Sequence, residues 1–191
     1  MWVEPYSPGG PLHPQASKSV FWELKDTVAD TAFEKEAWLL AMLVRVGECG
    51  FTVGSEATVF FCPPQYAPGA AKLPTAPVSA DAAFLTSLFI SPTRASRGLE
   101  AVLLDATIVH LITADYPAVE AFGFRDSARA TALLGAKPAL IGLLPVEILE
   151  SAGFKVVQEH PATPRLRLDL PPENPLLSAA AVEDLLARAL A

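Results

Sequence analysis

The sequence predicts a single domain of the α/β or α+β class, built on a mixed sheet. Short runs with strand character alternate along the chain with longer runs whose apolar residues recur at helical spacing. The chain has 191 residues, of which 51% are hydrophobic, so it can form one substantial core. We find no internal repeat and no linker that would divide this domain.

The first third of the chain predicts an arm, a strand and a helix. Residues 1–17 contain four prolines and two glycines, which predicts an extended or disordered arm before a domain spanning residues 18–191. Residues 19–24 have strand character. Residues 31–46 are predicted to form a helix with acidic residues in its first turns and Arg45 near its end. Its regularly spaced apolar residues are Phe33, Ala37, Leu40, Ala41 and Val44.

A hairpin, a loop and a strand–helix unit follow. Gly54-Ser-Glu separates two strand-like runs within residues 50–62, which is typical of a β-hairpin. Residues 63–77 form a long proline-rich loop that contains Tyr66, and a loop of this length inside a compact domain is often functional. Residues 82–90 predict a strand and residues 98–113 a long apolar helix.

The last third of the chain predicts further strands and two helices. Residues 118–122, 155–158 and 165–170 have strand character, and the last run alternates strictly between polar and apolar residues. Residues 143–152 predict a helix, with Pro145 near its start. Residues 176–191 predict an amphipathic C-terminal helix. Its apolar stripe must cover its own sheet or a second subunit; we favour its own domain, and a homodimer is the alternative.

Charge and composition limit the classes of partner. The net charge is −7 and no basic cluster is present, so we expect no nucleic-acid partner. The acidic balance suits ordinary solubility, and the alternative is a cationic substrate such as an amine. Apolar runs are too short for a membrane span and no signal peptide is recognised, so we expect no membrane partner and a cytoplasmic protein. Cys49 and Cys62 lack the spacing of a metal site and predict free thiols.

The most informative segment joins the strand at residues 82–90 to the following helix. It reads Phe89-Ile-Ser-Pro-Thr-Arg-Ala-Ser-Arg-Gly-Leu-Glu, a strand end followed by a short turn and a helix start. The first backbone N–H groups of a helix lack intrahelical partners, and the helix dipole favours negative charge there. The segment therefore predicts a ligand that carries phosphate groups.

The same segment resembles the acyl-CoA-binding segment of the GNAT acetyltransferases, typically Val-x-Pro-x-x-Arg-Gly-x-Gly-x-Gly. Pro92, Gly98 and Leu99 match this pattern, whereas Ala95 replaces its arginine and Glu100 its last glycine. Leu149-Glu-Ser-Ala-Gly-Phe154 is similar to the helix-to-strand signature Phe-Tyr-x-x-x-Gly-Phe of the family. Other phrases between about residues 20 and 170 are similar to an uncharacterised actinobacterial branch of it.

The resemblance implies a fold and a cofactor. The fold is a twisted, mostly antiparallel mixed sheet of about six or seven strands with helices on both faces. The cofactor is acetyl-CoA, and a small-molecule amine is the acceptor. By position, the pantetheine arm falls on the backbone of three strand residues: Leu88, Phe89 and Ile90. The pyrophosphate falls on six backbone amides of the turn and helix: Ser96, Arg97, Gly98, Leu99, Glu100 and Ala101.

Candidate catalytic residues are fewer. Leu149 occupies the position of the tyrosine that protonates the leaving thiolate in the family, so the acid must come from elsewhere, for instance Tyr66 or Tyr116. Glu120 is the candidate base, because its apolar neighbours predict burial and burial raises the pKa of a carboxyl. The alternative for Glu120 is a solvent-facing or ion-paired structural carboxylate.

Two functions follow from the resemblance. The first is acetyl transfer from CoA to an amine by direct attack. The second is an inactive relative that serves as a binding or regulatory module. Glu100 puts a carboxylate where the diphosphate would lie. Two negative charges about 4–6 Å apart repel by roughly 3–4 kcal/mol at an effective dielectric constant near 20. The departures at Ala95 and Glu100 therefore predict weak or absent binding of acetyl-CoA.

Overall fold

The computed structural model describes residues 2–191 and consists of one mixed sheet with helices on both faces. The strands in the described residues are β1 (Glu4–Pro5), β2 (Gly50–Val53), β3 (Ala57–Cys62), β4 (Ala82–Ile90), β5 (Ala118–Phe124), β6 (Leu144–Pro145), β7 (Lys155–Gln158) and β8 (Arg165–Asp169). The helices are α1 (Thr31–Val46), α2 (Leu99–Thr113), α3 (Ser127–Leu134), α4 (Pro138–Ile141), α5 (Val146–Ser151) and α6 (Ala179–Leu190).

The sheet is mostly antiparallel, as the resemblance implied. Its order is β1-β2-β3-β4-β5-β8-β7, and the short strand β6 also pairs with β5. Only the β4–β5 and β5–β6 pairs are parallel; the other pairs are antiparallel. The parallel β4–β5 pair is the point where α2 crosses over the sheet, and it places the predicted phosphate turn at the end of β4.

Two hydrophobic cores lie on opposite faces of the sheet. Strand β3 contributes to both, because alternate side chains point to opposite faces. Val59 and Phe61 join the core formed with α2, α5 and α6. Phe60 and Cys62 join the core formed with α1. This arrangement confirms the prediction of helices on both faces.

Helix α1 has the predicted bounds, but the face that it buries is not the one that carries Phe33, Leu40 and Val44. Its N-terminus is capped by Asp30, whose side chain accepts a hydrogen bond from the backbone N–H of Phe33. The side chains that it buries are Lys35, Leu39 and Met42. Most of the apolar stripe that predicted the helix faces solvent, because the helix carries a second apolar face that packs on the core. That face consists of Leu39 and Met42 with the partly buried Trp38, Leu43 and Val46.

The predicted strand at residues 19–24 is wrong. This segment forms turns, and other parts of the chain satisfy its polar groups. The indole N–H of Trp22 donates to the carbonyl of Ile141 at 2.7 Å, and the carbonyl of Trp22 accepts from the N–H of Gly69 at 2.8 Å. The arm was predicted to be extended or disordered; Glu4–Pro5 is extended and pairs with the edge of β2. Helix α5 begins later than predicted, because Leu144–Pro145 forms β6.

Helix α6 packs on α2 of its own chain. Ser178 caps its N-terminus, and Leu186 and Ala189 are buried in the core that contains α2. Burial of one leucine contributes about 1.5–3 kcal/mol to stability.

Deletion of the residues after Pro175 should therefore lower the melting temperature without changing the number of chains per particle. Differential scanning calorimetry and light scattering measure the two quantities. A truncated protein that changes from a dimer to a folded monomer would show that α6 is an intermolecular interface instead.

Candidate functional site

The turn between β4 and α2 requires glycine at one position. Gly98 is the N-cap of α2 and has a φ of 98°, in the left-handed region where L side chains are strained. A Cβ at this residue would also lie 2.6 Å from Cδ2 of Leu185 in α6. The turn therefore lies at close range to the C-terminal helix of the same chain.

The backbone amide of Ser96 already has an anionic partner. It donates to Oε1 of Glu100 at 3.1 Å, so the carboxylate of the first turn of α2 folds back over the turn. Ser96 itself has a positive φ of 60°, which brings its N–H toward the helix start. One of the six amides that the resemblance assigns to the pyrophosphate is therefore occupied by the side chain of another of the six residues.

Arg94 does not point toward a ligand at this turn. Its Nη1 donates to the carbonyl of Ala189 in α6 at 3.1 Å, and its Nε lies 3.6 Å from Oε2 of Glu56 in the β2–β3 turn. The guanidinium thus ties the turn to α6 and to the hairpin. Arg97 lines a shallow hollow beside Gly98, together with Arg188 of α6.

The gap between β4 and β5 is filled by the chain. The two strands pair only from Ala82 to Phe84 on β4, and beyond that point β5 takes β6 as its neighbour. The N–H of Leu88 donates to the carbonyl of Gly142 at 2.9 Å. Gly142 has a φ of 66°, and a Cβ there would lie 2.6 Å from Cβ of Ser87. Residues 142–145 thus form a wedge against the strand edge predicted to bind pantetheine.

A groove remains open between α2 and α5. It has a volume of about 430 Å³ and reaches from Gly98 and Glu100 along the two helices. Residues 172–177 cover it from outside, and the N–H of Leu177 donates to Oδ1 of Asp105 at 2.9 Å. Burial raises the pKa of Asp105 above its ordinary value. Among the described residues that line the groove, none is basic.

Glu120 lies in a buried ion-pair network on the other face of the sheet. Its carboxylate pairs with Arg165 and accepts from Nη1 of Arg167 at 3.2 Å and from the N–H of Ser79 at 3.1 Å. Burial alone would raise the pKa of Glu120, but the hydrogen bonds from Ser79 and Arg165 outweigh it, so the pKa lies below its ordinary value. The predicted rise in pKa, on which the proposed role as a base depends, is wrong.

The two arginines of this network are the residues that the sequence interpretation missed. They alternate with Leu166 and Leu168 along β8, so both point to the face opposite the leucines. The strict alternation was visible in the sequence. The pairing of β8 with β5, which brings Arg167 opposite Glu120, was not.

Tyr66 and Leu149 both lie apart from the turn at Ser96–Gly98. Tyr66 lies in a short 3-10 turn (Pro64–Tyr66) and packs on the α1 face of the sheet. Its ring centroid is 5.5 Å from Cζ of the Arg45 guanidinium. Leu149 is fully buried in α5 on the α2 face and has no proton to donate. Glu120 and Tyr66 are thus separated by the sheet from the turn at Ser96–Gly98.

Neither a protein-family model nor a curated protein matches this sequence. Among solved structures, the fold is similar to that of an N-acetyltransferase from Staphylococcus aureus Mu50, with a TM-score of 0.52 at 10% identity. That alignment covers 88% of this chain and 97% of the other. A putative acetyltransferase of the GNAT family from Desulfovibrio desulfuricans is 14% identical over 87% of this chain and 98% of its own, with a TM-score of 0.49.

The likeness confirms the predicted fold class, a mixed and mostly antiparallel sheet with helices on both faces. Within residues 2–191, every helix is too short or too polar to traverse a lipid bilayer. Over most of its length the chain shares the fold of the Staphylococcus aureus N-acetyltransferase.

Proposed function

We propose that the chain is a non-catalytic member of the GNAT superfamily, from the actinobacterial branch that its sequence resembles. In this proposal it is a cytoplasmic binding module that takes acetyl-CoA weakly or not at all. The observation that carries the proposal is the 2.9 Å hydrogen bond from Leu88 to Gly142. The resemblance assigns that strand edge to the pantetheine arm, and a ligand that binds as an added strand needs free backbone groups.

Three further contacts support the proposal. The amide of Ser96 is already bonded to Glu100, and the guanidinium of Arg94 is held by the carbonyl of Ala189. Leu149 has no group that protonates a thiolate. Acetyl-CoA would have to displace the wedge at residues 142–145 and compete with a carboxylate at the turn, and it would still lack a general acid.

The groove between α2 and α5 suggests what the module binds. Its walls are mainly apolar, with Leu104 and Ile108 on α2 and Ile148 on α5, and its charged groups are the carboxylates of Glu100 and Asp105. An anion such as CoA would be repelled there, whereas an apolar ligand that carries an amine would be attracted to either carboxylate. We propose an apolar amine as the class of ligand.

Isothermal titration calorimetry tests this proposal. The dissociation constant for acetyl-CoA should lie well above the micromolar values usual for enzyme substrates. Decylamine should bind more tightly than decanoate, which has the same chain length and the opposite charge, and Asp105→Asn should reduce that difference. Sub-micromolar binding of acetyl-CoA, or a preference for decanoate, would show that the proposal is wrong.

An N-acetyltransferase that opens its cleft is the second candidate function. The open groove favours it, because the groove reaches Gly98 at the phosphate turn. In that enzyme Leu88, Phe89 and Ile90 would bind pantetheine after residues 142–145 move away. The amides of Ser96, Arg97, Gly98, Leu99, Glu100 and Ala101 would bind the diphosphate. Its base and acid would have to be other groups, because Glu120 is ion-paired with Arg165 and Tyr66 packs on the α1 face.

A double variant separates the two functions. Glu100→Gly with Ala95→Arg removes the repelling carboxylate and restores the arginine, so CoA affinity should rise at least about tenfold, or 1.4 kcal/mol. The wedge at residues 142–145 still occupies the strand edge where the pantetheine arm and its acetyl group would lie. We therefore expect no acetyl transfer to a panel of amines. Turnover by this variant would favour the enzyme. Unchanged affinity would show that repulsion by Glu100 is not what weakens binding.

A further inference from the structure

We propose that two copies of this chain associate through the outer face of α1, with the two helices antiparallel. This face carries large apolar side chains that the described residues, 2–191, leave exposed: Phe33 is 65% exposed, Leu40 43% and Val44 87%. Ala37 is also exposed and lies between them. The four residues follow helical spacing and form one stripe opposite the buried face of the helix.

The spacing of the stripe is self-complementary. Its residues are separated by four, three and four positions, so the stripe reads the same in both directions along the helix. A two-fold axis across its midpoint puts Phe33 against Val44 of the second copy, and Ala37 against Leu40. Each large side chain then meets a smaller one, and the pattern satisfies the rule of a two-fold interface, in which residue i contacts j and j contacts i.

Charge on one flank of the stripe selects the antiparallel orientation. Glu34 and Arg45 lie on the same flank, at opposite ends of the helix, since their positions differ by about three turns. Within residues 2–191 neither forms a salt bridge. Antiparallel pairing brings Glu34 of each copy near Arg45 of the other, giving two ion pairs. Parallel pairing about a two-fold axis would put this flank of the two copies on opposite sides of the interface, where neither ion pair forms.

One pair of helices makes a small interface. Stable dimers usually bury at least about 1,200 Å² in total, and a single 16-residue helix supplies an area at the low end of that range. The dimer should therefore be reversible, with a dissociation constant in the micromolar range. The charge arrangement on the flank then determines which partner fits, because ion pairs at a rim contribute more to orientation than to affinity.

Sedimentation velocity of the full chain, from low to high micromolar concentration, tests the proposal. We expect a concentration-dependent monomer–dimer equilibrium in the unmodified protein. Glu34→Arg and Arg45→Glu should each weaken the dimer by about tenfold, because each change replaces two attractive pairs with two repulsive ones. The double variant Glu34→Arg with Arg45→Glu should restore the dimer, since it recreates both pairs with the charges exchanged.

Leu40→Glu should abolish the dimer, and Leu133→Glu is its matched control. Leu133 lies on α3 and is 46% exposed, close to the 43% of Leu40, so both variants put a carboxylate at a similarly exposed leucine. Circular dichroism confirms that each variant is folded. A chain that stays monomeric at every concentration overturns the proposal. So does a dimer that survives Leu40→Glu, or a charge exchange that fails to restore association.

Discussion

Replacing Glu120 by alanine should lower the free energy of unfolding by about 3–5 kcal/mol, the usual consequence of removing one partner from a buried ion pair. Glu120 is fully buried, and its removal leaves the guanidinium of Arg165 largely buried without its carboxylate. Arg165 retains the carbonyl of Thr75 at 2.8 Å, which is a neutral partner. Urea denaturation followed by circular dichroism measures the loss.

Asp81→Ala is the matched control for this variant. Asp81 pairs with Arg167 of the same network at 2.9 Å, but its carboxylate is exposed, so its removal should change stability far less. Equal losses in the two variants would mean that burial does not set the energetics of the network. The structural interpretation of Glu120 would then be wrong.

The network also predicts a dependence on pH. The pKa of Glu120 in the folded chain lies below its ordinary value of 4.5, because the hydrogen bonds from Ser79 and Arg165 outweigh the effect of burial. A carboxyl with a lowered pKa stabilises the fold fully above its unfolded pKa and loses this contribution as the pH falls through its folded pKa. The stability difference between the unmodified chain and Glu120→Gln should be constant near neutral pH and shrink below about pH 4.5.

Local patterns were sufficient to predict most of the secondary structure. Strand β4, the turn and helix α2 follow from an apolar run, a glycine and a helical apolar pattern that are contiguous in sequence. The bounds of α1 follow from the spacing of its apolar residues, from acidic residues in its first turns and from Arg45 near its end. Such signals depend on neighbours within a few residues, so one sequence contains them.

The closure of the site depends on contacts between distant parts of the chain. Leu88 donates a hydrogen bond to Gly142, and Gly98 lies against the side chain of Leu185. The residues of each pair are far apart in sequence, so no local pattern predicts either contact. The prediction that Glu100 opposes a diphosphate stays a prediction, but the structure adds a contact that explains its place: the carboxylate satisfies the amide of Ser96 within the chain. A carboxylate in the first turn of a helix can thus satisfy a backbone amide that the resemblance assigns to a ligand.

Helix α1 carries apolar residues on two faces, and the fold buries the face that also carries Lys35. The periodicity of Phe33, Leu40 and Val44 is typical of an inward face, and a lysine is typical of a solvent-facing one. The fold places Lys35 inward because Glu23, twelve residues earlier, provides a carboxylate in the core. No local rule predicts that pairing, since it requires a chain segment without regular secondary structure to pack under the helix.

Replacing Lys35 by methionine should therefore also destabilise the chain by about 3–5 kcal/mol. Both side chains of the Lys35–Glu23 pair are 1% exposed, and Oε2 of Glu23 has no hydrogen-bond partner among residues 2–191. The ammonium group also lies 4.4 Å from the ring centroid of Phe60 and 5.2 Å from that of Trp38, where cation–π attraction adds to the pair. The single variant leaves the carboxylate of Glu23 buried without a cation, and urea denaturation at neutral pH measures the result.

The double variant Glu23→Leu with Lys35→Met should recover most of this loss or exceed the stability of the unmodified chain. The attraction between two buried charges is largely offset by the free energy of removing both from water, so a well-packed apolar pair of similar volume is often equally stable or more stable. The two single variants and the double variant form a cycle that gives the coupling energy of the pair. If the double variant is as unstable as Lys35→Met alone, the loss comes from packing around Phe60 and Trp38, and the account based on an unpaired buried charge is wrong.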